Sequence, residues 1–295
     1  MRSPFATLFP LCSALGYTFA ALMLKRATER GVGPWRITFL VNWTAAILFT
    51  PWLFTGGLPF TPIAVSQAIL SGAVFFVGQV FTFLALSRGD VSLTTPIMGT
   101  KVVFVALFAP LFAGESLGVA LWCSAILTCV ATALMGGEFK ANAKRLVPSL
   151  VFGVSAAVCY AATDIMQRRW VVNLGFGHFA PIMFATIGVM GCGLIPLFSE
   201  PLSALPRKSL VWGLAGGVLI SLQATGIAYS IATYNEVTLT NILYTTRGIW
   251  SVVLVWSVGH WFSNTEKSVG SAVMIRRLLG AVLLLGAVLL GLLGR

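Results

Sequence analysis

Ten apolar stretches of roughly membrane-crossing length, about 20 residues each, follow one another with only short connections between them. They run at about 5–24, 37–55, 63–86, 91–113, 117–136, 147–167, 178–198, 209–232, 237–258 and 273–293. Glycine and proline punctuate the gaps, as at Gly31, Gly33 and Pro34, or Pro201 to Pro206. A chain spent in this way has no residues left for a soluble domain. With 9% charged residues against about 25% in soluble domains and 58% apolar ones, it is expected to be an all-α membrane protein of ten transmembrane helices. The first stretch is too long for a cleavable leader and reads as a span.

The formal net charge of +11 would suit a nucleic-acid binder, but the basic residues flank the apolar runs, where anionic headgroups and the positive-inside rule place them. Nucleic acid is therefore not an expected partner; the lipid bilayer is. The five cysteines form no CxxC pair and lie inside spans, so they read as buried packing thiols rather than a metal or redox site. His178 and His260 stand near span ends, too few and too far apart for a metal centre or a histidine base. There is no Walker A motif to hold ATP. No cofactor and no metal are expected.

The chain is doubled. Residues 91–101 (VSLTTPIMGTK) match 237–247 (VTLTNILYTTR) at an offset of 146, and 13–26 match 156–169 at an offset of 143, pairing Tyr17 with Tyr160 and Arg26 with Arg169. Spans four and nine correspond, as do one and six. Five spans is an odd number, so the second copy enters the membrane from the opposite side. The expected architecture is two inverted five-helix repeats, residues 1–145 and 146–295, the usual plan of a secondary transporter working by alternating access.

Lys101 and Arg247 occupy the same position in the two copies, each about ten residues into its span. A cation at mid-membrane costs at least about 2.5–3.5 kcal/mol. Of the eight acidic residues only Asp164 lies within a span, and it is either an i, i+4 partner of Arg168 or a cavity residue. Even with Asp164 neutralising one cation, a positive charge is left for an anionic substrate to meet. The bland alternative ties both cations to helix carbonyls, such as one freed by Pro96. Helical spacing adds Thr94, Met98, Phe104 and Val105 around Lys101, and Thr240, Tyr244, Trp250 and Ser251 around Arg247. Tyr17, Tyr160, Gln79 and Gln223 are further mid-span polar groups that either read a substrate or bond helices together. The candidate substrate-binding set is thus Lys101, Arg247, Tyr244, Thr94, Thr240, Gln79, Gln223, Tyr17, Tyr160 and Asp164.

From Phe83 to Met135, including Gly114 and Glu115, the sequence resembles the EamA-type ten-span members of the drug/metabolite transporter superfamily, and Leu279 to Leu293 resembles the terminal helix of a second EamA repeat. The second copy has Gly259 and His260 where the first has the Gly-Glu pair. A basic residue in spans four and nine is similar to the nucleotide-sugar and triose-phosphate branches. That resemblance implies that Lys101 and Arg247 meet an anionic, even phosphorylated, metabolite. The expected protein is a multi-pass plasma-membrane carrier, of a bacterial inner membrane type, acting as monomer or homodimer. The rivals are an exporter of amino acids or other neutral or zwitterionic metabolites, a lipid-processing enzyme, and a non-transporting assembly subunit. Thirteen basic residues follow the odd-numbered spans and four lie on the other side, which places both termini outside the cytoplasm, whereas the resemblance implies both inside.

Overall fold

A computed structural model describes residues 4–88, 97–135, 143–258 and 271–294. Among these the chain is all-α: α1 (Phe5–Glu29), α2 (Pro34–Phe49), α3 (Pro62–Arg88), α4 (Lys101–Ala113), α5 (Val119–Met135), α6 (Ala143–Trp170), α7 (Phe176–Gly191), α8 (Arg207–Tyr234), α9 (Val237–Tyr244), α10 (Arg247–Val258) and α11 (Ser271–Leu293). Seven helices are long and apolar enough to cross a membrane, and Ile97–Ala113 and Val119–Met135 are shorter apolar ones. Apolar side chains such as Phe54, Ile63, Val119 and Leu293 face outward. That is the arrangement of a protein whose solvent is lipid, since every backbone group must bond within its own helix there.

The longest seams are α1 against α8, α3 against α6, and α5 against α11, with α2 packed on α7 and α8, and α3 on α7. Small residues set these approaches. A Cβ on Gly72 of α3 would collide with the Met183 carbonyl of α7, and one on Gly226 of α8 with Ser13 Oγ of α1. Without a hydrophobic driving force between helices in lipid, such close backbone contact is a main source of attraction. Ser124 adds a bond across α5 and α11, donating to the Ala287 carbonyl at 2.6 Å. Phe49 stacks on Phe184, centroids 3.9 Å apart, in the core between α2, α3 and α7.

Two expectations change here. The span expected over 237–258 is broken into α9 and α10 at Thr245 and Thr246. At the break two successive hydroxyls turn back on the chain: Thr245 donates to the Ile242 carbonyl and Thr246 to the Leu243 carbonyl at 2.7 Å, each three residues back, offering the backbone an alternative to the helical pattern. The cysteines are not uniformly buried either. Cys12, Cys123 and Cys192 are exposed on the outer surface, where a small apolar thiol sits at ease against acyl chains.

Candidate functional site

The break before Arg247 has a counterpart before Lys101. Thr100 lies in a turn between residues 97–99 and α4, and its hydroxyl donates to the Ile97 carbonyl at 2.6 Å. Several backbone bonds around the two cations correspond. Thr100 N donates to Ile97 O at 3.0 Å and Thr246 N to Leu243 O at 3.1 Å; Val103 N donates to Thr100 O, and Ile249 N to Thr246 O, both at 2.9 Å. Lys101 and Arg247 are therefore the first residues of their helices, α4 and α10, rather than mid-helix residues. The positive end of each helix dipole lies beside a positive side chain.

Both side chains face one cavity of about 320 Å³, bounded by α1, α3, α4, α6, α7, α8, α9 and α10. Lys101 Nζ is 2.8 Å from Asp164 Oδ2, and the same oxygen accepts Asn241 Nδ2 at 2.7 Å. Asp164 thus belongs to the cavity; Arg168 instead donates Nε to the Asn235 carbonyl at 3.1 Å. Arg247 lies against two aromatic rings, its Cζ 4.6 Å from the Tyr17 centroid and 4.7 Å from that of Tyr244. These rings meet edge to face at 6.0 Å. Among the described residues no carboxylate comes within ion-pair distance of Arg247.

Of the residues expected from the sequence, Lys101, Arg247, Tyr244, Tyr17, Tyr160, Gln223 and Asp164 all line this cavity. Tyr160 shares a 3.1 Å hydrogen bond with Thr82 Oγ1, and Gln223 Oε1 is buried with no hydrogen-bond partner among the described residues. Gln79 and Thr240 stand elsewhere. Gln79 exchanges both amide bonds with Asn42 at 2.9 Å, an interhelical clasp between α2 and α3. Thr240 is buried against Ser230, their hydroxyls 3.4 Å apart. Thr94 lies outside the described residues. Helical counting forward from the cations also misses: Val105 is packed with Ala161 and Ile231, and Trp250 faces outward. Counting backward does better: Met98 and Tyr244, three residues before the cations, both line the cavity.

Sequence reasoning passed over Asn241, Thr82 and the apolar wall of Phe75, Met183 and Phe184. Asn241 stood in the repeated stretch 237–247, and an amide inside a span was the signal that could have found it. The apolar wall carried no such signal.

Residues 4–137 match the EamA-like transporter family. The resemblance read from Phe83 to Met135 is borne out over that segment. Curated proteins return no match. Among solved structures, one crystal structure superposes with a TM-score of 0.76 at 19% identity, covering 98% of both chains; at that identity the likeness shows the fold.

Proposed function

We propose that this integral, multi-pass membrane protein, EamA-like over residues 4–137, is a secondary transporter that moves a small anionic metabolite by alternating access. Residues 1–145 and 146–295 act as two inverted five-helix repeats. The helix pairings support this reading because they survive exchange of the halves. Packing of α1 on α8 corresponds to that of α6 on α3, and α2 on α8 to α7 on α3, while α2 with α7 and α5 with α11 map onto themselves. An odd-span repeat related in this way can rock between two equivalent arrangements around a fixed central site.

The single observation that carries the reading is the duplicated turn that delivers Lys101 and Arg247 into one cavity. Two helix N-termini and two cations, with Asp164 as the one lining carboxylate among the described residues, leave a net charge of +1. A buried positive charge without a partner is costly, and an anionic substrate removes the cost. Closing the empty cavity leaves that cost in place. Exchange, or movement coupled to a proton, is therefore expected rather than leak. Among the described residues the lining holds no convergent nucleophile, base and oxyanion donors, which favours transport over lipid-processing chemistry. We place the protein in the plasma membrane, of the bacterial inner membrane type.

Counterflow in proteoliposomes loaded with small organic anions tests the reading. Wild-type protein is expected to exchange them, with loss in Lys101→Ala and Arg247→Ala. Undiminished exchange by both variants would overturn the assigned site.

A further inference from the structure

We infer that the cavity selects a compact organic monoanion with an apolar body and no positive group, and that Asp164 sets this selectivity by keeping Lys101 occupied. The inference rests on the transport reading above and narrows its substrate class.

The charge count comes first. Lys101 is not free to take an anion: its ammonium is held at 2.8 Å by Asp164 Oδ2, and Asn241 fixes that oxygen at 2.7 Å from the other side. Three helices, α4, α6 and α9, contribute one member each to this cluster. Arg247 is differently placed. Aromatic rings flank it, and no described carboxylate pairs with it. The Tyr244 hydroxyl takes part of the guanidinium's hydrogen-bonding capacity, and the rest of its five N–H donors are left to bond a ligand. One anion anchor is therefore open where the family resemblance implies two.

A second negative charge on the ligand meets the Asp164 carboxylate in the same small space. It gains Lys101 only by breaking the existing pair and stranding Asp164, the arrangement in which a buried ion pair is most costly to disrupt. A ligand ammonium fares no better, since Lys101 already sits on the carboxylate it would seek. The charge pattern thus acts against both alternatives.

Shape agrees with charge. At about 320 Å³ the cavity lies near the lower end of the roughly 300–1,000 Å³ range of ligand pockets. That size suits a small organic ion. The far wall of the cavity is apolar, with Phe75, Met183, Phe184, Ile220 and Ile227. These would cover a hydrocarbon or aromatic body while the carboxylate meets Arg247.

The test uses a charge series on one skeleton with the purified full chain in lipid nanodiscs, read by ligand-dependent thermal shift and by counterflow competition. The probes are 3-phenylpropionate with one negative charge, phenylsuccinate with two, phenyl phosphate, and zwitterionic phenylalanine. Wild type is expected to bind 3-phenylpropionate at least about tenfold more tightly than the other three. Asp164→Asn frees Lys101, so phenylsuccinate is expected to draw level with or overtake 3-phenylpropionate. Wild-type binding of phenylsuccinate, phenyl phosphate or phenylalanine as tight as that of the monoanion overturns this inference and leaves the transport reading standing. So does an unchanged preference in Asp164→Asn. Binding of none of the probes by wild type overturns the anion site itself. Should Asp164→Asn not fold, the wild-type series decides alone.

Discussion

Thr100 and Thr246, 146 positions apart, make the same bond: each hydroxyl donates to the carbonyl three residues behind it, at 2.6 Å to Ile97 and 2.7 Å to Leu243. Each is followed at once by a cation that begins a new helix. A hydroxyl placed there offers the backbone an alternative to the regular ladder. The turn then lets the next side chain leave on the inner side of the bundle. The chemistry of the site follows from two threonines as much as from the basic residues they precede.

Replacing Thr246 by Val preserves the shape of the side chain but removes its bond to Leu243. The α9 to α10 junction is expected to relax toward continuous helix and carry Arg247 away from Tyr17 and Tyr244. Stability should change little, by about 1 kcal/mol, whereas exchange should fall about tenfold. Melting temperature and counterflow rate, measured side by side, separate the two effects; a loss of stability without a loss of exchange would refute the link.

Arg247→Lys keeps the charge and loses the planar fork. Since the guanidinium lies 4.6 Å and 4.7 Å from two ring centroids, the change forfeits stacking of about 0.5–2 kcal/mol along with paired bonding to a carboxylate. A rise in KM of about tenfold is expected, with the folded protein recovered in normal yield. Wild-type transport parameters in the lysine variant would show that charge alone suffices.

Asp164→Ala strands Lys101 and leaves the Asn241 amide short of an acceptor. Complete burial would make this cost about 3–5 kcal/mol. Lys101 retains 23% side-chain exposure toward the cavity, so a loss of about 2 kcal/mol is expected. Adding Lys101→Met should restore much of it, because the unpaired charge is then gone. A double-mutant cycle on melting temperature checks the coupling; additive losses would mean that the pair is not coupled.

Hydropathy made the helical elements legible because period and length are properties of a segment alone, and the match between residues 91–101 and 237–247 made Lys101 and Arg247 legible because it sets them at the same position of two similar stretches. What escaped depended on where helices meet. Asp164 could be paired on paper with Arg168, four residues along the same helix, yet tertiary packing brings Lys101 to 2.8 Å instead. Gln79 looked like a cavity residue from its place in the span, but its side chain is consumed by Asn42 of the neighbouring helix. Helical counting forward along α4 and α10 also failed, since which face of a helix meets the cavity is set by its packing against neighbours, as with Val105 against Ala161 and Ile231. The apolar wall of Phe75 and Phe184 is indistinguishable in sequence from residues that face lipid.

The Asn42 and Gln79 clasp is accordingly structural. Gln79→Leu leaves both polar atoms of the Asn42 amide unmatched in a buried seam, where interhelical hydrogen bonds are worth about 0.6–1.7 kcal/mol. A lower melting temperature with an unchanged KM is expected. A changed KM would place Gln79 in the substrate path after all.

Glu115 provides the pH dependence. It lies in the connection between α4 and α5, outside the helices, facing the start of α9 and lining a polar pocket of about 500 Å³ with Arg168, Tyr234 and Glu236. Burial pushes its carboxyl above the ordinary value of 4.5; the Thr238 side chain, the backbone at Thr238 and Val237, and Arg168 act in the opposite direction without cancelling it. The native protein therefore holds this proton more tightly than the unfolded chain. The resulting stabilisation is complete below pH 4.5 and is lost as pH rises through the raised native value. At neutral pH the buried carboxylate is a net liability, so Glu115→Gln is expected to melt higher than wild type there. The difference should shrink as pH falls and vanish near the ordinary carboxyl range. Melting curves of the two proteins from pH 4 to 8 check the sign. A variant less stable than wild type at neutral pH would mean that the amides at the start of α9 and Arg168 outweigh burial, and that the ionised form is what locks α9 in place.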